Sequence, residues 1–431
     1  MIVGMLGAMP TAASPSSPQA VPAARDRGDA CPGALRLHAA DDGALARIRV
    51  PGGVLTARRA QALGHAARRL GDGDLHLTSR GNVQLRGLRD GCGGELAKVL
   101  EAAGLLPSRE HERVRNIVAS PLSGLDGGGS RDVRPWLTAL DAALCASDAA
   151  RDLSGRFLFA LDDGRGDVAG LGADVTVRAT GDGGAWLGPG SVRVAAADAP
   201  RAALLAAETF LAAARSHGTR VWRMADLPLT DGEVGRLVRD RLTAEGIGHD
   251  EHAEPAGATE GPPPGVVRGA LSVHVPLGRL SAPQWETLTG VAGPELRLTP
   301  WRGVVVPTVG ATAARAAGFL ERLGAAGLVT DPASPWLRVG ACIGRPGCAK
   351  AHADVRADAA WTLRAAGRPA LPLYWSGCER RCGRPGGDHV DVVAAPDGGY
   401  RLSSATPGRS PRTVSVADLS RIPAALAAIT S

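Results

Sequence analysis

The feature that most constrains the fold of this chain is one strand-turn-helix pattern that occurs in both of its halves. Residues 46–56 alternate apolar and polar side chains up to a Val-Pro-Gly-Gly turn, and residues 271–281 repeat the alternation up to Val-Pro-Leu-Gly. Alternation with a period of two predicts half-buried strands. Thr56 and Ser281 each stand where a side-chain oxygen can cap the first turn of the helix that follows.

The correspondence continues through two more strands and a second helix in each half. Residues 75–81 match residues 296–302, and each match is followed by a short apolar strand. Helices are then predicted over 94–103 and 311–326. A sheet this small leaves its edges and one face uncovered, so we expect the two units to pair and close one core.

A different kind of segment follows each repeated unit, which makes the chain an α+β duplication of the form A-B-linker-A′-B′. The first such segment contains a long Ala-rich stretch that predicts a helix over Ala199–Ser216. Five short strands are also predicted, at 156–161, 174–179, 191–195, 372–375 and 390–394. The predicted boundaries are a tail at 1–30, the first unit at 31–104, its companion at 105–247, a linker at 248–267, the second unit at 268–332 and its companion at 333–431. His249 and His252 in the Pro- and Gly-rich linker are expected to be solvated loop residues.

Charge and hydropathy disfavour two classes of partner. Lys and Arg total 49 against 43 Asp and Glu, a formal net charge of +6 with no long basic run, which does not favour nucleic acid. No apolar stretch approaches the roughly 18 residues of a membrane-spanning helix. The first positive charge, Arg25, lies well behind the apolar start, so residues 1–30 are expected to be a disordered tail and the protein to be cytoplasmic.

Four of the seven cysteines lie close together near the C-terminus. Cys342 and Cys348 form a C-x5-C pair, and Cys378 and Cys382 form a C-x3-C pair. Four thiolates are what a [4Fe–4S] cluster requires, and the neighbouring glycines allow tight loops whose amides can bond to sulfur. Zinc is the main alternative, but its ligands usually come in C-x2–4-C pairs, which the first pair does not match. The third possibility is that the four cysteines bind no metal and are free thiols.

The two cysteine pairs, with Ser-Gly-Cys-x3-Cys-Gly in the second, resemble those of the nitrite and sulfite reductase family, whose members pair a [4Fe–4S] cluster with sirohaem. Residues 77–87 resemble the Thr-Thr-Arg strand motif of the family, and residues 114–124 resemble its Arg-Asn segment. The resemblance implies two paired ferredoxin-like half-domains and two α/β half-domains that bind the cluster and a tetrapyrrole.

The reductases of this family hold an anionic substrate with two lysines in a Lys-Phe-Lys stretch, and this chain departs from that pattern. Arg156 and Leu158 stand at the matching positions, and the chain has only two lysines, neither of them there. A branch of the family, the precorrin-3B synthases of aerobic cobalamin biosynthesis, matches better. The chain is similar to that branch in residues 31–33, in residues 47–53 and in a Phe-x-Phe-x-x-Asp stretch.

This second resemblance implies a monooxygenase that hydroxylates precorrin-3A with O2 and closes a lactone, with reducing equivalents ultimately from NADH. Precorrin-3A carries many carboxylates, for which bidentate arginines are suited. Because no Gly-x-Gly-x-x-Gly follows a strand, a separate electron-donor protein is expected. The candidate substrate-binding residues in the resembling motifs are Arg80, Asn82, Gln84, Arg86, Arg115, Asn116 and Arg156; the catalytic residues are left unassigned.

The family is also associated with a non-haem iron, whose usual ligands are two histidines and a carboxylate. The candidate ligands are His352, the pair Asp388 and His389, and Cys31.

Two other functions stay open at this point. One is a ferredoxin-dependent sulfite or nitrite reductase with sirohaem, and the other is a non-catalytic, metal-stapled protein that binds a tetrapyrrole.

Overall fold

A computed structural model describes residue 29 and residues 31–257, 259–405 and 412–430, so most of the tail predicted at 1–30 lies outside the described residues. In the described chain the α-helices are α1 (Ala57–Leu70), α2 (Gly93–Ala102), α3 (Arg134–Ala146), α4 (Ala199–Ser216), α5 (Asp231–Ala244), α6 (Ala282–Val291), α7 (Ala313–Ala325), α8 (Val355–Ala366) and α9 (Ile422–Thr430). The strands are β1 (His38–Ala40), β2 (Gly43–Ile48), β3 (Val54–Thr56), β4 (Leu75–Leu77), β5 (Val83–Leu88), β6 (Ile117–Ala119), β7 (Phe159–Asp162), β8 (Val175–Ala179), β9 (Gly184–Leu187), β10 (Val192–Ala195), β11 (His249–Glu251), β12 (Gly265–Val267), β13 (Ala270–His274), β14 (Arg279–Leu280), β15 (Glu295–Leu298), β16 (Gly303–Pro307), β17 (Val339–Ala341), β18 (Leu373–Ser376), β19 (His389–Ala394), β20 (Tyr400–Ala405) and β21 (Thr413–Val416).

The two repeated units form two five-stranded antiparallel sheets that exchange a strand. One sheet has the order β1-β2-β5-β4-β14, and the other has the order β12-β13-β16-β15-β3. Strand β14 comes from the second half and pairs with β4 of the first, whereas β3 comes from the first half and pairs with β15 of the second. The α+β duplication predicted from the sequence is confirmed, and each unit completes the sheet of the other.

Matching turns lead into the exchanged strands. Gly52 and Leu277 occupy the same position in the two turns and both adopt left-handed backbone, with φ of 60° and 53°. A side chain at Gly53 would place its Cβ 1.9 Å from the carbonyl oxygen of Leu298, so only glycine allows the halves to approach here. The hydroxyl of Thr56 accepts from the backbone N–H of Arg59, which confirms the predicted cap.

One hydrophobic core lies between the two units and takes side chains from both. Leu63 and Leu75 of the first unit and Trp285 and Leu296 of the second are buried in the same cluster. The indole N–H of Trp285, on α6, donates to the carbonyl of Ala60 on α1 across 3.0 Å. The predicted closure of one core by two paired units is therefore observed.

The two companion segments form mixed sheets. The first has the order β11-β10-β9-β8-β7-β6, with β6, β7 and β8 parallel, and α4 packs against it over the predicted bounds Ala199–Ser216. The second has the order β17-β18-β19-β20-β21, in which the first three strands are parallel, and it packs against α8 and α9.

The predicted linker at 248–267 is too long. Its first residues form β11, which pairs with β10, and its last residues form β12, which pairs with β13. His249 is therefore a half-buried strand residue, whereas His252 is exposed as expected. Within the described residues, the longest apolar helices fall short of what crossing a bilayer requires.

Candidate functional site

Two parallel strands bring the cysteine pairs to one edge of the C-terminal sheet. β17 is followed directly by Cys342, and β18 is followed by Gly377 and Cys378. The strands pair in parallel with Ala341 opposite Trp375. Because the carboxyl ends of parallel strands meet at the same edge of a sheet, cysteines from two separate motifs become neighbours.

The loops around these cysteines direct backbone amides toward sulfur. The N–H of Gly377 donates to Sγ of Cys342 at 3.2 Å, and the N–H of Cys342 donates to the carbonyl of Trp375 at 2.9 Å. A side chain at position 377 would place its Cβ 2.5 Å from the Cβ of Ala351, so this approach requires glycine. Amide hydrogen bonds to cysteine sulfur stabilise the thiolate that a metal site needs.

All four cysteines line one cavity of about 320 Å³. Burial raises the pKa of Cys342, the amides of Gly377 and Gly344 lower it, and the neighbouring thiols of Cys382 and Cys378 raise it. The four thiols therefore face one common space. The donor set therefore fits a [4Fe–4S] cluster.

The spacing of the sulfur atoms does not suit zinc. Two groups of His, Cys, Asp or Glu in the described chain have their ligand atoms all within 4.8 Å of one another, and the cysteines belong to neither. A tetrahedral zinc ion with Zn–S bonds of about 2.3 Å needs sulfur atoms about 3.8 Å apart. A larger cluster accommodates the wider spacing.

A second cavity, of about 440 Å³, adjoins the cysteine cavity and is rich in arginine. It is lined by Cys31, Pro32, Arg47, Arg49, Thr78, Ser79, Arg80, Arg156 and Arg223. Arg47, Thr78 and Ser79 also line the cysteine cavity, so the two cavities share a wall. We call the second one the arginine cavity.

Of the five arginines that line the arginine cavity, Arg223 pairs with Asp174, whereas Arg47, Arg49 and Arg80 have no carboxylate partner among the described residues. Arg49 is only 3% exposed, and its Nη2 donates to the carbonyl of Gly155 at 2.7 Å and to Sγ of Cys31 at 3.3 Å. Burial lowers the pKa of Arg49 to about 10. Within the described chain, Arg47, Arg49 and Arg80 have no carboxylate within ion-pair distance. A buried, unpaired positive charge is costly, so this cavity suits an anionic ligand.

Known proteins are similar to this chain both in its two repeated units and along most of its length. The family described as "Nitrite/Sulfite reductase ferredoxin-like half domain" matches residues 38–103 and 268–325, within the two repeated units. Over 415 residues the chain is 28% identical to a precorrin-3B synthase of Sinorhizobium sp, covering 91% of this chain and 86% of that protein. Both repeated units are therefore similar to the ferredoxin-like half-domain of nitrite and sulfite reductases, and the whole chain is similar to a precorrin-3B synthase.

Two further proteins match a shorter stretch of this chain or its fold alone. A ferredoxin–nitrite reductase of Synechococcus elongatus is 35% identical over 127 residues, which are 28% of this chain and 25% of that protein. The structure of the Mycobacterium tuberculosis NirA protein superposes with a TM-score of 0.64 at 18% identity, covering 88% of this chain and 79% of that one. At this identity the likeness to NirA shows a shared fold.

Four of the residues proposed from the family motifs reach a cavity. Arg80 and Arg156 line the arginine cavity, and Gln84 and Arg86 line the cysteine cavity. Nη1 of Arg80 donates to the carbonyl of Arg156 at 2.9 Å, and the guanidinium of Arg156 lies 4.4 Å from the ring centroid of Trp222. These contacts hold both arginines at the rim of the arginine cavity.

The other three motif residues do not line either cavity, and their contact with a ligand stays a prediction. Nδ2 of Asn82 donates to Oδ1 of Asn116, and Nδ2 of Asn116 donates to the carbonyl of Phe157, each at 2.9 Å. The guanidinium of Arg115 forms two hydrogen bonds of 2.7 Å to the carboxylate of Asp141. Asn82, Asn116 and Arg115 are buried and line neither cavity.

Sequence reasoning missed three arginines of the arginine cavity. Arg47 and Arg49 alternate with the buried Ile48 and Val50, and this period of two already indicated that both arginines face away from the core. Arg223 lies in a loop after α4 and pairs with Asp174, which directly precedes β8. No local pattern marks that position.

The candidates for a non-haem iron do not form a ligand set in the described chain. His352 and Asp388 are exposed. His389 is buried, and both of its ring nitrogens are engaged, Nδ1 with the carbonyl of Gly387 at 2.8 Å and Nε2 with Nε of Arg384 at 3.0 Å. Cys31 lies instead in the arginine cavity.

Two other groups have ligand atoms within 4.8 Å of one another, and protein contacts engage both. In the first, His76 lines the cysteine cavity beside Asp72 and Asp74, but Nδ1 of His76 faces Arg356 at 3.4 Å and Asp74 pairs with Arg279. The second group follows β7 and consists of Asp162, Asp163 and Asp167. It lies outside both cavities.

Leu158, which the motif resemblance matches to the second reductase lysine, is enclosed in the protein. Its side chain is 2% exposed and packs with Val118, Ala160 and Val168. Its backbone N–H donates to Asp174 at 2.8 Å. A cationic side chain directed at a substrate is therefore missing from this position.

Proposed function

We propose that this protein is an iron–sulfur monooxygenase of the precorrin-3B synthase type, which hydroxylates precorrin-3A with O2 and forms a lactone in aerobic cobalamin biosynthesis. The observation that carries the proposal is the arginine cavity, which shares a wall with the four-cysteine cavity and in which Arg47, Arg49 and Arg80 have no carboxylate partner in the described part of the chain. The match to a precorrin-3B synthase along 91% of the chain supports the same activity.

The substrate would bind through its carboxylates. Arg47, Arg49 and Arg80 present guanidinium groups without carboxylate partners, and a guanidinium can bind a carboxylate through two parallel hydrogen bonds. Arg156 and Arg223 extend the positive rim. The carboxylates would therefore anchor in the arginine cavity and leave the macrocycle against the shared wall near the cysteines.

Cys342, Cys348, Cys378 and Cys382 would hold a [4Fe–4S] cluster, which transfers single electrons when bound. The amide of Gly377 would stabilise the thiolate of Cys342, and Arg356 adds positive charge by donating to the carbonyl of Cys342 at 3.2 Å. These contacts favour the deprotonated cysteines that bind iron.

A separate protein would supply the electrons. One atom of O2 enters the product and the other is reduced to water, so each turnover consumes two electrons, ultimately from NADH. Cys382 is the exposed member of the four cysteines, which gives a donor protein access to this end of the site. We place the reaction in the cytoplasm, where NADH and reduced thiols are available.

A sirohaem-dependent sulfite or nitrite reductase is the second candidate. The stretch 35% identical to a ferredoxin–nitrite reductase favours it. The buried Leu158 argues against it, because oxyanion reduction needs positive groups that stabilise charge and deliver protons. A non-catalytic, metal-stapled protein that binds a tetrapyrrole is the third candidate.

Anaerobic purification followed by turnover distinguishes the three candidates. We expect iron and sulfide in equal amounts, a broad visible shoulder without sirohaem bands, and label from isotopic dioxygen in the product of precorrin-3A. Sirohaem bands with nitrite or sulfite turnover would establish the reductase instead. Zinc without iron would reject both enzymes.

A further inference from the structure

A buried carboxylate lies directly behind the loop that carries Cys378 and Cys382. Asp391 is on β19 and has no exposed surface. It stands opposite Tyr374 in the parallel pairing of β18 with β19. β18 leads into the second cysteine pair, so Asp391 belongs to the sheet on which that loop is built.

Asp391 holds the chain on both sides of Cys382. Oδ2 of Asp391 lies 3.0 Å from Nη1 of Arg381 and 2.9 Å from Nε of Arg384. Arg381 immediately precedes Cys382, and Arg384 follows it after one glycine. A single carboxylate oxygen therefore fixes a four-residue segment with the cysteine inside it.

The backbone around Cys382 is shaped to allow this arrangement. Arg381 has a φ of 45°, a left-handed conformation that is uncommon for a residue with a side chain. The hydroxyl of Tyr374 donates to the carbonyl of Cys382 at 2.5 Å. At Gly383, where φ is 83°, a Cβ would lie 2.7 Å from that hydroxyl oxygen. Two adjacent strands thus hold the loop, one through Asp391 and the other through Tyr374.

We propose that Asp391 is a positioning residue for the metal site, which acts through Arg381 and Arg384 to hold Sγ of Cys382 against the other three cysteines. The inference rests on the proposed function only in that these cysteines bind a [4Fe–4S] cluster. Cys382 is the exposed cysteine of the four, so it depends most on such an anchor. We call the two ion pairs of Asp391, with Arg381 and Arg384, the Asp391 clamp. The clamp anchors Cys382 through a residue that is not itself a proposed cluster ligand.

The test measures how easily the cluster loses the iron at Cys382. Ferricyanide, a one-electron oxidant, converts [4Fe–4S]2+ to [3Fe–4S]+ with release of one Fe2+ and transfer of one electron to the oxidant. Asp391→Asn keeps the shape of the side chain but removes its charge. We expect the three-iron signal in electron paramagnetic resonance to appear roughly tenfold faster in this variant than in the unmodified protein.

The matched control is Glu379→Gln. Glu379 binds Arg381 at 3.2 Å from the solvent side, with its side chain 59% exposed, so its loss leaves the Asp391 clamp intact. We expect this variant to convert at the unmodified rate. Equal rates for Asp391→Asn and the unmodified protein would overturn the inference, as would a Glu379→Gln variant as fast as Asp391→Asn.

A second variant keeps the test decisive if Asp391→Asn fails to fold by circular dichroism. Arg384→Gln removes one arm of the clamp at a side chain that is 40% exposed, and we expect an intermediate rate. An unmodified rate would overturn the inference. An unmodified protein that binds no iron would instead overturn the proposed function, so the two failures are distinguishable.

Discussion

The guanidinium of Arg86, on β5, donates to the carbonyl oxygen of Gly347, in the loop between Cys342 and Cys348, across 2.9 Å. The same guanidinium forms two 2.8 Å hydrogen bonds to the carboxylate of Asp42. The first repeated unit thus holds a loop of the last segment of the chain. This contact links the strand motif of residues 77–87 directly to the loop of the first cysteine pair.

Arg86→Gln should lower the free energy of unfolding by about 3 kcal/mol, because it leaves a partly buried Asp42 without its partner. Urea denaturation measures the loss. The control is Arg68→Gln, which breaks an exposed ion pair with Glu286 whose side chains are 45% and 62% exposed. The control should lose less than about 1 kcal/mol, and equal losses in the two variants would contradict the prediction.

Cys378→Ser should abolish the iron–sulfur absorption and the turnover of precorrin-3A together, because one of four cluster ligands is removed. Cys145→Ser is the control: Cys145 lies half-buried on α3 and lines neither cavity. It should keep its iron content. Turnover retained by Cys378→Ser would remove this cysteine from the proposed site.

The repeated elements were predictable because local pattern determines them. The alternation of Ile48 and Val50 and the hydroxyls of Thr56 and Ser281 specify strands and helix starts from neighbouring residues alone, and the structure has those elements. The grouping of the four cysteines could be predicted for a similar reason, and the structure places all four around one cavity. Their spacing is a property of the sequence, and parallel pairing of β17 with β18 brings the two pairs together.

The features that the sequence did not predict depend on contacts with residues that are distant along the chain. Arg115 carries the family motif, but its direction is set by Asp141 on α3, and no motif records that pairing. β11 is only three residues long and is a strand because β10 pairs with it. Arg223 reaches the arginine cavity because Asp174 holds it there. Such contacts appear only once the chain is folded.

Two arginines of the motifs should separate ligand binding from stability. Arg80→Gln removes a guanidinium of the arginine cavity and should weaken the binding of a polycarboxylate porphyrin by roughly 10–100-fold, with little change in unfolding. Arg115→Gln breaks the buried pair with Asp141 and should cost about 3 kcal/mol of stability without changing affinity. Fluorescence titration and urea denaturation measure the two effects. The reverse pattern would show that the cavity is misassigned.

The pH dependence of stability should report on Asp167, in the acidic group after β7. Burial raises the pKa of this carboxyl from 3.8 to about 7, and the neighbouring Asp162 and Asp163 add to the increase, against the hydrogen bond from Ser120. A group whose pKa is raised in the folded state binds more protons when folded. Its stabilising contribution is therefore complete below about pH 4 and is lost as the pH rises through 7.

Asp167→Asn should remove this dependence, because the amide does not ionise and resembles the protonated acid in shape. The unmodified protein should lose stability relative to the variant between about pH 5 and pH 8, by on the order of 3 kcal/mol. Urea denaturation of both proteins across this range measures the difference, in which the contributions of titrating groups distant from Asp167 cancel. Parallel pH curves would show that Asp167 ionises normally and that Arg165, whose Nε lies 4.0 Å from its carboxylate, neutralises it in the folded protein.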